Sequence, residues 1–234
     1  MSLPPRYALY YAPDPASALW AFGTSVIGYD AATGRDVPFD PPELAAVNGK
    51  INADWHPRKY GFHATLKAPI VLAEGFGEAD LLDACAAFAA GTAPVLLDGL
   101  AVTELDSNFA LRPVGDTTAL DAFAFAVVKD FDVFRAPLSA EERARRLAAP
   151  LSERQRDYLE RYGYHYVGEE FWFHMTLTGP IEAPLRPAIG AALRAAHARR
   201  VGGGPVAIDN VTLFRQEDRA RPFRILARFP LAGA

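Results

Sequence analysis

The order of apolar and polar positions along the chain predicts a mixed α and β fold. Tyr7 to Ala12 reads as a short strand, and Asp14-Pro15 offers an N-cap followed by proline at the first helical position, so a helix is expected to run to about Phe22. Residues 28–58 are rich in Pro, Gly, Asp and Asn with little periodicity and read as a long surface loop, the kind that is often functional. Tyr60 to Leu72 reads as a strand, Glu78 to Ala90 as an amphipathic helix, and Pro94 to Leu105 and Asn108 to Pro113 as strands. Leu120, Phe123, Val127 and Phe131 recur at helical spacing, which predicts a helix over about 118–129. Two capping-box patterns, at Ser139 and Ser152, place polar helices at 140–149 and 153–162. Trp172 to Ile181 reads as a strand, Leu185 to Arg200 as a helix, and Val206 to Phe214 and Phe223 to Phe229 as closing strands.

Comparing the chain with itself adds an internal repeat. Phe62-His63-Ala64-Thr65-Leu66-Lys67-Ala68-Pro69-Ile70 recurs as Phe173-His174-Met175-Thr176-Leu177-Thr178-Gly179-Pro180-Ile181 at an offset of 111. Pro94 to Asp98 recurs as Pro205 to Asp209 at the same offset, so the register survives an intervening helix. Upstream, Tyr7-Ala8-Leu9 resembles Phe109-Ala110-Leu111 at an offset of 102, although Phe109 to Pro113 could equally partner the final strand. The expected fold is therefore α+β: two pseudo-symmetric lobes, each a mainly antiparallel sheet with outer helices, facing a central cleft. They form one bilobal domain over 1–234, with a polar helical insert at about 131–165.

Composition narrows the function. The chain has 234 residues, half of them hydrophobic, enough to bury a core and to exclude disorder. Lys+Arg 24 against Asp+Glu 28 leaves a net charge of −4, which offers no general attraction to nucleic acid or an anionic membrane. No stable nucleic-acid complex is expected, and an anionic substrate must be gripped locally. The single cysteine, Cys85, sits in an apolar run and reads as a small buried hydrophobe. With no apolar leader at the N-terminus and no stretch of about 18 apolar residues, a cytoplasmic monomer without membrane contact is expected. Gly202-Gly203-Gly204 is not followed by Lys-Ser/Thr and precedes a strand, so it reads as a turn rather than a phosphate loop.

The repeated motif carries the chemistry. On strict strand alternation Phe62, Ala64 and Leu66 face one way while His63, Thr65 and Lys67 face the other; in the second copy Trp172, His174, Thr176 and Thr178 lie opposite Phe173, Met175 and Leu177. If the two polar faces meet, two imidazoles and two hydroxyls converge. One neutral imidazole can deprotonate an attacking water, one imidazolium can protonate a leaving oxygen, and the threonines can donate to phosphoryl oxygens. Two histidines with no carboxylate or cysteine at ligand spacing fall short of the usual three protein ligands of a metal site, so no metal or cofactor is expected.

These motifs resemble the paired His-x-Thr/Ser motifs of the 2H phosphoesterase superfamily. The wider context, Arg58-Lys59-Tyr60-Gly61 before the first motif and Thr178-Gly179-Pro180 after the second, is similar to a bacterial branch associated with phosphonate-utilisation operons. The resemblance implies a bilobal fold, His63 and His174 as acid and base in either assignment, and Thr65 and Thr176 as phosphate ligands. The expected activity is a metal-independent phosphodiesterase or cyclic phosphodiesterase, hence a phosphoric diester hydrolase, acting on a small phosphorylated substrate. The alternative is a non-catalytic binder of a nucleotide or phosphorylated metabolite in the same cleft.

Further candidates for substrate binding are Lys59 and Lys67, basic on the His63 face without counterparts at Glu170 and Thr178, and Trp172, which could stack on a base or sugar. Tyr10 and Tyr11 point to opposite faces, so only one can line the cleft; Tyr11 is the choice. His56, His165 and His197 lack a Thr partner, and Asp98 and Asp209 read as structural. Arg143 to Arg146 read as a solvated helix face that could also meet an anion.

Overall fold

The computed structural model describes residues 4–39, 41–47 and 56–233. Seven strands form one antiparallel sheet: β1 (Arg6–Tyr11), β4 (Ala64–Ile70), β6 (Leu100–Leu105), β7 (Asn108–Pro113), β8 (Met175–Thr176), β10 (Asn210–Gln216) and β11 (Arg224–Pro230). Their order is β11-β10-β1-β4-β8-β7-β6. Two small ribbons accompany it: β2 (Tyr29–Asp30) with β3 (Arg35–Asp36), and β5 (Val95–Leu97) with β9 (Val206–Ile208). The two expected sheets are thus joined edge to edge, because the two motif strands β4 and β8 hydrogen-bond to each other at the centre.

The register of these ladders follows the sequence repeat. Ala64 pairs with Met175 and Leu96 with Ala207, each residue facing its own counterpart 111 positions away. Next outward from the central pair are β1 on one side and β7 on the other, the two strands that carry Tyr7-Ala8-Leu9 and Phe109-Ala110-Leu111. β7 pairs with β6 and β8, whereas the final strand β11 pairs with β10.

One face of the sheet is covered by α1 (Ala18–Ile27), α3 (Glu78–Ala90), α4 (Thr118–Asp130) and α7 (Arg186–Arg200). Phe62 lies against Gly23 of α1, Phe109 against Gly190 of α7, and the Tyr7 hydroxyl donates to Glu78 at the start of α3. Phe22, Phe62, Phe109, Phe131, Leu9 and Leu81 are sealed in this layer, where burial of each such side chain contributes on the order of 2 kcal/mol. No helix among the described residues is long and apolar enough to cross a membrane.

Several expectations change in detail. α1 begins later because Asp14 closes a turn, accepting the Ala16 N–H at 2.7 Å, and Ser17 caps the helix by accepting the Trp20 N–H at 3.1 Å. The strand foreseen from Trp172 to Ile181 shortens to two residues: the Leu177 and Thr178 N–H groups both converge on the Phe109 carbonyl, at 2.9 and 3.2 Å, and the ladder ends there. The described part of the 28–58 segment forms the β2–β3 hairpin, a 3-10 turn at Pro42–Val47 and the short helix α2 (His56–Tyr60); residues 40 and 48–55 of it lie outside the described residues. The polar segment forms α5 (Ala140–Leu147) and α6 (Glu153–Tyr162), capped by Ser139 and Ser152, with Gln155 completing the box at Ser152.

Candidate functional site

The uncovered face of the sheet carries the repeated motif. Gly61 precedes it with φ of 75°, a left-handed turn, and a Cβ there would come within 2.7 Å of the Ala31 side chain, so glycine is what lets the chain swing into β4. The turn points the Gly61 carbonyl at His63, whose Nδ1–H donates to it at 2.9 Å. The same contact recurs in the second copy, where His174 Nδ1–H donates to the Trp172 carbonyl at 2.8 Å. In both imidazoles Nδ1 therefore carries a proton, and Nε2 is the nitrogen left for a ligand. The Thr65 hydroxyl donates to His63 Nε2 at 3.3 Å.

His63, Thr65, His174 and Thr176 all line one cleft of about 860 Å³, a volume suited to a small-molecule ligand. Tyr10 of β1 stacks on His63 with ring centroids 3.8 Å apart. This burial pulls the His63 pKa down from 6.5 to about 4, opposed by the bond to Gly61 and assisted by the charge of His174. His63 is thus neutral at physiological pH. The cleft wall adds Arg6, Lys59, Arg145, Arg146 and Arg219 against Glu141 and Glu142, a local cationic surplus on a net acidic chain. No group of three or more His, Cys, Asp or Glu side chains suited to a metal ion occurs among the described residues.

Not every candidate joins this site. Lys59 lines the cleft. Lys67 does not: the β1–β4 register slips by one residue between the Tyr10–Thr65 and Leu9–Lys67 pairs, and this bulge turns Lys67 to the helix face. There its ammonium, 3% exposed, donates to the Val128 carbonyl at 3.0 Å and pairs with Asp132 at 2.9 Å. Tyr11 also faces away, its hydroxyl donating to the Ala207 carbonyl at 3.1 Å; its neighbour Tyr10 occupies the cleft instead. Trp172 stands outside the lining, exposed, with its ring 6.3 Å from the His174 ring and the Arg112 guanidinium stacked on it at 3.9 Å.

His197 packs edge-on against Phe22 in the helical layer, and His165 sits against Tyr166; burial lowers the pKa of both, and neither lines the cleft. The His56 side chain lies outside the described residues. Asp209 accepts from the Asn210 side chain at 2.7 Å, a structural role. Of the arginine run, Arg143 pairs with Glu160 on α6 while Arg145 and Arg146 reach the cleft. Cys85 is sealed in the core, and its thiol is pushed up to about 12. Arg6, Tyr164 and Arg219 also line the cleft, unforeseen because neither motif contains them.

The family described as Protein of unknown function (DUF1045) matches residues 65–224, which span more than half of the chain and both threonines of the site. The chain belongs to the DUF1045 family. Among curated proteins this DUF1045 chain is 37% identical over 236 residues to "Ribose 1,5-bisphosphate phosphokinase PhnN" of Janthinobacterium sp. (strain Marseille), covering 97% of this chain and 51% of that protein. A protein of the same name from Laribacter hongkongensis (strain HLHK9) is 34% identical over 227 residues, covering 94% and 50%. The chain spans about half the length of these curated relatives. A solved structure, TT0787 of Thermus thermophilus, is 16% identical with a TM-score of 0.47, covering 97% of this chain and 98% of that one. The relatives' name corrects one expectation: they are called phosphokinases, which are transferases, and this overturns the assignment of a phosphoric diester hydrolase.

Proposed function

We propose that this DUF1045 protein carries a two-histidine site of the 2H type, built on a duplicated unit, that performs phosphoryl transfer on a small phosphorylated sugar. The observation that carries this reading is the matched pair of imidazoles in one cleft, each tied through Nδ1 to the carbonyl two residues before it. The names of the relatives, ribose 1,5-bisphosphate phosphokinase PhnN, support a ribose phosphate as the ligand and a place in phosphonate metabolism. A cytoplasmic location and a monomer belong to the same reading.

His63 is the base in this account. It is neutral, and its Nε2 lone pair faces the cleft. It takes the proton of the attacking hydroxyl as the new oxygen–phosphorus bond forms. His174, in the more open position, acts as the imidazolium and gives its Nε2 proton to the leaving oxygen as the old bond breaks. Thr65 and Thr176 donate to the non-bridging oxygens as charge gathers there. The arriving phosphoryl group itself favours the protonated imidazole, which moves His63 from its low resting pKa toward the working range.

The test is phosphorus NMR of the protein incubated with a panel of ribose phosphates, with and without a nucleoside triphosphate. Conversion by the parent protein is expected to fall by about 10²-fold or more in His63→Ala and in His174→Ala. Equal conversion by all three proteins would refute the acid–base roles. Saturable binding with no conversion of any compound would leave a binding site without chemistry.

A further inference from the structure

The floor of the cleft is longer than one phosphoryl group requires. On β1 the residues facing it alternate as Arg6, Ala8 and Tyr10, and Tyr10 is the residue stacked on His63. Four strand residues place Arg6 about 13 Å from Tyr10 along the sheet. β4 runs antiparallel beside it, from Thr65 opposite Tyr10 to Ile70 opposite Tyr7, so the apolar Pro69 and Val71 line the stretch approaching Arg6.

The Arg6 end is built for an anion. Gln216, fully buried, accepts from Arg6 Nε and Nη2 at 3.0 and 2.5 Å and donates to the Arg221 carbonyl, which locks the guanidinium in place. Arg6 Nη1 has no protein partner among the described residues. Arg146 gives Nη1 to the Gly163 carbonyl, while its Nε is buried with no partner among the described residues. Arg219 gives Nη1 to the Pro4 carbonyl.

None of the three has a carboxylate at ion-pair distance among the described residues; the nearby Glu142 is taken by Arg145 at 3.7 Å. Arg6 is close enough to oppose the charge of both others, and Arg146 and Arg219, chiefly through burial, are pushed toward lower pKa. Glu142 offsets part of the charge on Arg146 and Arg219, but no carboxylate pairs directly with any of the three guanidiniums among the described residues, and an anion between them relieves their mutual repulsion.

We propose that Arg6, Arg146 and Arg219 form a second anion pole in the cleft, so that the ligand is a sugar carrying two phosphoryl groups, one at each end. The assignment rests on the two-histidine reading of the first pole and adds what binds the far end. A single phosphate cannot span the two poles, whereas a pentose with phosphoryl groups at opposite ends can bridge them.

Calorimetric titration at low ionic strength with ribose 5-phosphate and ribose 1,5-bisphosphate tests it. The parent protein is expected to bind the bisphosphate at least about tenfold more tightly, the gain from one further set of charge-assisted bonds. In Arg6→Gln/Arg219→Gln protein, checked for native circular dichroism, that ratio is expected to fall to about one. Equal affinity of the parent protein for the two compounds overturns the second pole, and that arm needs no variant to fold. An unchanged ratio in the double variant overturns it too. The first pole is read separately: residual ribose 5-phosphate binding by the double variant must be lost on adding His174→Ala, and its persistence refutes the histidine site rather than the arginine one.

Discussion

Acidification should destabilise this protein in a way that one side chain accounts for. His63 is half-buried, stacked under Tyr10, and desolvation lowers its pKa from 6.5 to about 4 on folding. That difference favours the neutral imidazole in the native state by about 3 kcal/mol. Because the folded pKa is depressed, the unfolded chain binds the proton first. The contribution is fully present above about pH 6.5 and is lost as the pH falls through the window down to about 4. Between pH 7 and pH 5 the loss amounts to about 2 kcal/mol. Burial also lowers the pKa of the half-buried His165 and the buried His197, so the comparison must be with His63→Gln, which cannot titrate. Urea unfolding followed by fluorescence of the buried Trp20, at pH 7, 6 and 5, measures it. The parent protein should lose about 2 kcal/mol more than the variant over that range. Identical pH dependence in the two proteins would show that His63 is not desolvated, and the argument for it as a neutral base would fall with it.

Further predictions concern the supports of the site. Asp132→Ala leaves the Lys67 ammonium buried without its counter-charge and should cost about 3–5 kcal/mol in urea unfolding. Lys67→Met, in contrast, should leave ribose phosphate affinity within about twofold in calorimetry, since the bulge turns Lys67 out of the cleft, where a substrate contact would cost about tenfold. Gly61→Ala forces a left-handed φ on alanine and presses its Cβ on Ala31; a destabilisation of at least about 1–2 kcal/mol and a displaced His63 ring signal in NMR should accompany it. Gly23→Ala drives a methyl group into the Phe62 ring beside His63 and should cost about 1–3 kcal/mol despite the better helix propensity of alanine.

What the sequence disclosed was whatever depends on local or repeated patterns. The His-x-Thr pair stood out because it occurs twice at one offset, and the same offset reappears as the Ala64–Met175 and Leu96–Ala207 pairings. Ser139 and Ser152 announced α5 and α6 because an N-cap is settled within four residues. Lys67 was misplaced because alternation holds only in a regular strand, and the slip beside Leu9 is set by the neighbouring strand. Tyr10 against Tyr11 was a choice between two faces that strand periodicity alone leaves open. The second pole had no local signature at all: Arg6, Arg146 and Arg219 come from β1, α5 and the turn after β10, and they meet only in the lining of the cleft. The hydrolase assignment failed for a different reason. Two imidazoles and two hydroxyls specify proton transfer and charge stabilisation at phosphorus, but not which acceptor receives the phosphoryl group.

The most direct test of the two-histidine site is the ring nitrogen NMR of all five histidines as inorganic phosphate is added. His63 and His174 should both show a proton on Nδ1 at the start, and their Nε2 signals alone should move together along one saturation curve, with His165 and His197 unmoved. Movement of only one of the pair, or of neither, would contradict a shared phosphoryl site.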